Sequence, residues 1–153
     1  MIKIIDVLKT IPEGQVITVQ GWIKTFRGNR FIALNDGSTI NNLQCVIDYV
    51  NLNEITLKKI STGTSIKLQG ELIKSLGKEQ SVELKVNKLK IFGKADPEKY
   101  PIQPKKHSLE FLREKAHLRI RTSTFSAVAR IRSSLSFAIH DFFKNKNFYC
   151  IHT

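Results

Sequence analysis

A chain of 153 residues holds one ordinary domain, or a small domain plus part of another, and cannot hold two full ones. Its 41% hydrophobic and 25% charged residues are enough to close a core, which sets disorder aside. Lys and Arg number 25 against 13 Asp and Glu, a formal charge of +12, so nucleic acid leads the partner classes, with a merely solubilising surface as the plainer alternative.

Between Gly14 and Gly93 the residues read as short strands bounded by turn signals, with one short helix among them. The first strand is expected over 16–27, and Gly21 within it marks a bend or bulge by which a long strand serves two sides of a barrel. A second strand over 30–34 is closed by the turn Asn35-Asp36-Gly37, and a third covers 43–47. Asn53 offers an N-cap for a helix over 54–60 that turns Ile55, Leu57 and Ile60 inward, with Gly63 as its stop. Ile66, Leu68, Gly70 and Leu72 alternate as a fourth strand. The fifth alternates at Val82, Leu84 and Val86, then slips phase to Leu89 and Ile91, which predicts a bulge near Asn87 and Lys88. Five strands with a helix between the third and fourth form the mainly-β layout of an oligonucleotide/oligosaccharide-binding (OB) barrel, assigned to residues 1–93.

After Gly93 the prolines Pro97, Pro101 and Pro104 suit an extended hinge, assigned to 94–112. Farther on, Phe125, Val128, Ile131, Leu135, Ala138 and Phe142 recur every three or four residues, with Ile139 and Phe143 widening the stripe. That spacing predicts an amphipathic helix of about six turns, capped at Thr122, Ser123 or Thr124 and ended by Asn145-Lys-Asn147. An apolar stripe of this width marks an interface or a missing domain.

A nucleic-acid surface needs cations for phosphates, flat side chains for bases and amides for base edges. If Ile32 and Leu34 face the core, Phe31 and Ala33 face outward; Leu43, Cys45 and Ile47 inward put Gln44 and Val46 outside. Phe31 and Gln44 then form a small reading platform ringed by Lys24, Arg27 and Arg30. The competing reading packs Phe31 under a loop and leaves Gln44 as ordinary polar surface. The cations favour the platform, and the Gln44 amide, donor and acceptor together, complements a uracil edge. Lys105, Lys106 and His107 with Arg113, Arg119, Arg121, Arg130 and Arg132 form a second basic region, either an RNA contact or a solvated face.

Other chemistry finds no support. Gly70 and Gly77-Lys78 are too far apart for a phosphate-binding P-loop and read instead as part of a turn between the fourth and fifth strands. His107, His117, His140 and His152 lack ligand spacing, and Cys150 with His152 is too sparse for zinc, so no metal is expected. No catalytic constellation stands out. Cys45 and Cys150 are far apart, the N-terminal Met-Ile-Lys-Ile-Ile-Asp lacks the long apolar core of a signal peptide, and no run reaches the roughly 18 apolar residues of a membrane helix, so a cytoplasmic address without membrane contact is expected.

Several phrases resemble the asparaginyl-tRNA synthetase family, class II enzymes of the aspartyl/lysyl/asparaginyl subgroup. They are Gly-Trp-Ile-Lys-Thr-Phe-Arg at 21–27, Phe-Ile-Ala-Leu-Asn-Asp-Gly-Ser at 31–38, Asn-Leu-Gln-Cys-Val at 42–46, Tyr-Pro-Ile-Gln-Pro-Lys-Lys-His at 100–107 and the stretch 111–122. The resemblance implies that Phe31 stacks on the central anticodon uridine, Gln44 reads it and Arg27 supports the loop; Lys24 and Arg30 are expected RNA backbone contacts from their charge beside the platform. It implies that the last helix resembles class II motif 1, whose face at Phe125, Val128, Leu135 and Phe142 would meet a second copy in a homodimer, and that 113–153 opens an α+β catalytic domain. The partner would be the anticodon loop of tRNA(Asn). ATP and Mg2+ would serve the full-length ligase, whose motifs 2 and 3 have no counterpart here, so this chain by itself is expected to be inactive. The motif 1 proline would come next after Thr153, which makes an N-terminal fragment the expectation. A freestanding single-strand-binding OB module is the second reading.

Overall fold

Alternating apolar side chains need a surface with a period of two, and in the computed structural model they find it in a barrel. The structure describes residues 2–47, 59–75, 77 and 80–152. A one-turn helix α1 (Ile4–Val7) precedes strands β1 (Val16–Arg27), β2 (Phe31–Asn35), β3 (Leu43–Ile47), β4 (Ser65–Lys74) and β5 (Val82–Gly93). They close in the order β1-β2-β3-β5-β4. All neighbours are antiparallel except β3 and β5, which run parallel from Gln44↔Glu83 to Ile47↔Val86. The expected helix over 54–60 lies almost wholly outside the described residues; Ile60 is buried.

On β2 to β5 the inward positions are the expected ones, and β1 adds Ile17, Val19 and Ile23. Ile17, Val19, Ile23, Ile32, Leu34, Leu43, Cys45, Ile47, Ile66, Leu68, Leu72, Val82, Leu84 and Val86 fill the barrel. Each such Leu or Ile removed from water contributes about 1.5–3 kcal/mol before chain entropy is set against it. Ile4 and Val7 of α1 join the same cluster, a plug that the strand pattern does not foretell.

Gly21 and Gly70 stand where strands cross too closely for a side chain. A Cβ on Gly21 would lie 2.5 Å from the Asn35 carbonyl oxygen, and one on Gly70 would fall on the Lys85 carbonyl. Around Gly21 the long β1 changes partner, pairing with β4 over 16–22 and with β2 over 22–27. The bulge itself sits at Lys24, between the Ile23↔Leu34 and Thr25↔Ala33 pairs. The β5 bulge is where the phase slip put it: Gln69 pairs with Lys88 and Gly70 with Val86, leaving Asn87 without a partner position. β2 begins at Phe31, one residue later than expected, because Gly28 and Asn29 take positive φ values and turn the chain.

By its internal packing the chain divides into a unit of residues 1–106 and a unit of residues 107–153. In the second, helix α2 (Leu109–Glu114) is capped by Ser108, whose Oγ accepts from Phe111 N, and a 3₁₀ turn covers Arg119–Arg121. α2 begins inside the span read as an extended hinge; the Ser108 cap outweighs the prolines, which all lie upstream of it. Helix α3 (Ser123–Asn145) starts after Thr122, whose Oγ1 accepts from Phe125 N at 3.3 Å, and ends before Asn147, at φ 64. Among the described residues no helix is long and apolar enough to cross a membrane.

α1 is capped from a distance. Ile4 N donates to Asp36 Oδ2 at 2.8 Å and Ile5 N to Ser38 Oγ at 3.0 Å, so the β2–β3 turn satisfies two amides that a first turn leaves open. Burial opposes the Asp36 charge, but hydrogen bonds from Ser38 Oγ and from the Ile4 and Ser38 amides prevail and hold its pKa below the ordinary 3.8. A depressed carboxyl pKa stabilises the fold above the unfolded-state value and loses that contribution as pH falls through the folded one. Asp36→Ala is therefore expected to cost about 1 kcal/mol at neutral pH, as a missing cap does. In urea melts the deficit should vanish as pH drops below the ordinary carboxyl range.

Candidate nucleic-acid interface

The pleat of β2 and β3 decides what the barrel shows on one wall. With Ile32, Leu34, Leu43, Cys45 and Ile47 inside, Phe31, Ala33, Gln44 and Val46 point outward, as expected. Register then sorts them into rungs. One runs Arg27–Phe31–Val46–Lys85 and the next Thr25–Ala33–Gln44–Glu83. Phe31 and Gln44 are therefore diagonal neighbours on adjacent strands, about 7–8 Å apart. Ala33, directly opposite Gln44, leaves the space between them low.

Phe31 is 38% exposed, too open for a residue packed beneath a loop. The Arg30 guanidinium carbon lies 5.8 Å from its ring centre, and Arg27 is its cross-strand partner on β1. Lys24 occupies the β1 bulge, and Arg27 and Arg30 are exposed. The structure thus brings together Phe31, Gln44, Arg27 and Arg30 on one wall, with Lys24 at the bulge beside it.

Strand alternation missed Glu83. It points outward from β5, yet it is only 8% exposed, because neighbouring side chains cover it. Gln44 Nε2 donates to Glu83 Oε1 at 3.0 Å and Ser75 Oγ donates to the same oxygen at 2.5 Å. The Gln44 backbone N–H donates to Gln80 Oε1 at 3.1 Å, tying β3 to the β4–β5 turn, which Ser75 N→Ser81 O closes at 3.1 Å. A carboxylate offers no donor, so the Gln44 amide must turn its nitrogen toward Glu83 and its oxygen away. That leaves one acceptor and one N–H for a base. The signal available in the sequence was a lone acid between Val82 and Leu84 in a barrel strand.

Cys45, on the inner side of β3, is buried; burial and then the Glu83 charge push its thiol pKa far up, so it serves as core rather than as a nucleophile. In the second unit the α3 residues Val128, Leu135 and Phe142 are exposed and Phe125 is half-buried, with the Arg119 guanidinium carbon 4.7 Å above the Phe125 ring.

A family model described as an OB-fold nucleic acid binding domain matches residues 6–92. The chain belongs to that family. It is also 54% identical to an asparagine–tRNA ligase of Parabacteroides distasonis, over 99% of this chain and 33% of the relative. To the Cytophaga hutchinsonii asparagine–tRNA ligase it is 48% identical, over 99% of this chain and 34% of the relative. The chain thus spans about a third of the length of the curated relatives it matches. Among solved structures it resembles Pyrococcus horikoshii asparaginyl-tRNA synthetase complexed with asparaginyl-adenylate, with a TM-score of 0.82 and 23% identity over 99% of this chain and 36% of that one. The Entamoeba histolytica asparaginyl-tRNA synthetase aligns with a TM-score of 0.79 and 22% identity, over 95% of this chain and 36% of that one. Likeness at that identity speaks for the fold, and the OB barrel read from the strand pattern is the fold observed.

Because Glu83 is the shared acceptor of two donors, its removal should be felt in stability. Glu83→Ala leaves Gln44 and Ser75 donors unpaired at a nearly closed site, which costs about 1–3 kcal/mol. The urea midpoint should drop accordingly, and by much less in a Ser75→Ala/Gln44→Ala/Glu83→Ala triple variant, where no donor is orphaned.

Proposed function

We propose that this chain is the tRNA-recognising portion of an asparagine–tRNA ligase and that its β2·β3 wall receives the anticodon loop of tRNA(Asn). The observation that carries the proposal is the exposed Phe31 ring one diagonal step from a Gln44 amide whose orientation Glu83 sets. A base stacked on Phe31 turns its Watson–Crick edge toward Gln44. Uracil fits, because its N3–H can donate to Gln44 Oε1 while its O4 accepts from the remaining Nε2 hydrogen. Arg27 and Arg30, with Lys24, would hold the loop phosphates and raise the encounter rate.

In the ligase reading the cytoplasm is the place of work, and ATP and Mg2+ activate asparagine in the remainder of the protein. Among the described residues of this chain no group of three or more His, Cys, Asp or Glu gathers to hold a metal. The role assigned to this chain is to bind and orient tRNA. The α3 face with Phe125, Val128, Leu135 and Phe142 is proposed as part of a homodimer contact, since large apolar side chains stand open along it.

Fluorescence anisotropy with a labelled anticodon stem-loop tests the reading. Affinity should fall as salt rises, and Phe31→Ala should cost about 1–3 kcal/mol. Unchanged binding in Phe31→Ala would remove the stacking role, and no binding at physiological salt would remove the proposal.

A further inference from the structure

Away from Phe31, the outward residues of β1, β4 and β5 make a second patterned wall. Its rungs are Trp22–Ser65–Gly93, Gln20–Lys67–Lys90 and Thr18–Gln69–Lys88. In the closed order β4 touches neither β2 nor β3, so this wall lies across the barrel from the platform. Lys67 and Lys90 face each other across antiparallel strands with Lys88 one rung along. Like charges directly opposite destabilise a strand pair, and among the described residues no carboxylate is paired with either lysine. The usual reason for strand lysines, blunting a free sheet edge, does not apply, because a closed barrel has no edge.

What surrounds these lysines suits a polynucleotide. Phe92 is 53% exposed with Lys90 Nζ 5.8 Å from its ring centre, and Trp22 is 39% exposed one rung from Lys67. The amides of Gln20 and Gln69 lie beside the lysines. Cations alone would serve any polyanion; flat rings and amides among them add stacking and hydrogen bonding that bases and phosphates use and an anionic lipid surface does not.

We propose that this wall is a second single-stranded RNA site, with Lys67, Lys88 and Lys90 on the phosphates and bases against Phe92 and Trp22. It does not depend on uridine reading by Gln44, so the two claims can fail separately. Trp22 is the chain's one tryptophan, and its emission reports on this wall. In a Phe31→Ala/Gln44→Ala background, oligoadenylate should quench Trp22 saturably. Lys67→Gln/Lys90→Gln should then flatten the log–log salt dependence by about 1.4, near 0.7 for each phosphate no longer neutralised. Lys67→Arg/Lys90→Arg should keep the slope, which a purely structural need for lysine would not allow. A Lys3→Gln/Lys9→Gln control should keep it too. In the otherwise unaltered chain, Lys67→Gln/Lys90→Gln should leave affinity for the anticodon stem-loop unchanged. An equal slope in the Lys67→Gln/Lys90→Gln variant and the control overturns the proposal. So does quenching by phosphatidylglycerol vesicles in place of oligoadenylate, or abolished stem-loop binding with oligoadenylate binding intact.

Discussion

The parallel pairing of β3 with β5 closes the barrel, and the rest of the outer wall depends on it. It sets Gln44 beside Glu83 in register, and so converts an exposed amide with free rotation into one held from behind. Parallel neighbours cannot be joined by a tight turn; β4 has to lie between them in the chain and pair with β1 on its far side. Gly70 meets the Lys85 carbonyl beside the β5 bulge, and Gly21 meets Asn35 where β1 changes partner. The parallel pair thus sets where the proposed base reading would occur.

Closure also divides the charge. Without edges to protect, the lysines on β4 and β5 have no strand-addition to prevent, and their mutual repulsion must be tolerated by a fold whose core is well filled. On the platform wall the arrangement is different: cations flank an aromatic ring, and Glu83, the one buried acid among the described residues, is occupied by Ser75 and Gln44. Ring and amide are preorganised by strand geometry rather than by loops, which limits the ordering cost of binding.

Much of this was legible in the residues because a half-buried strand writes its burial every second position. The inward positions of β2 to β5 and the slip at Asn87 followed from that rule, as did the length of α3 from its 3.6-residue period; its cap, Thr122, was one of three candidates offered by residue type. What the rule could not supply were features made by contacts distant in sequence. α1 is a single turn held by Asp36 and Ser38 more than thirty residues away and has too few residues to show a period. The β1 bulge at Lys24 does shift the phase, from Ile23 to Phe26, but Trp22 and Phe26 share a parity that reads equally well as unbroken alternation. Glu83 is outward by alternation, yet it is buried where Ser75 and Gln44 both donate to it. The role of Arg27 toward RNA came from likeness to a family, those of Lys24 and Arg30 from charge beside the platform, and all three stand as proposals.

The proposed base reading rests on Gln44 in the orientation that Glu83 imposes. The measurement that reaches it most directly is the affinity ratio between two anticodon stem-loops that differ only in a central uridine or cytidine, taken for the unaltered chain, Gln44→Ala and Glu83→Gln. The unaltered chain should prefer uridine, Gln44→Ala should abolish the preference, and Glu83→Gln should weaken it, since a second amide no longer dictates which end of Gln44 faces the base. A preference that survives unchanged in Gln44→Ala would contradict a reading role for this amide.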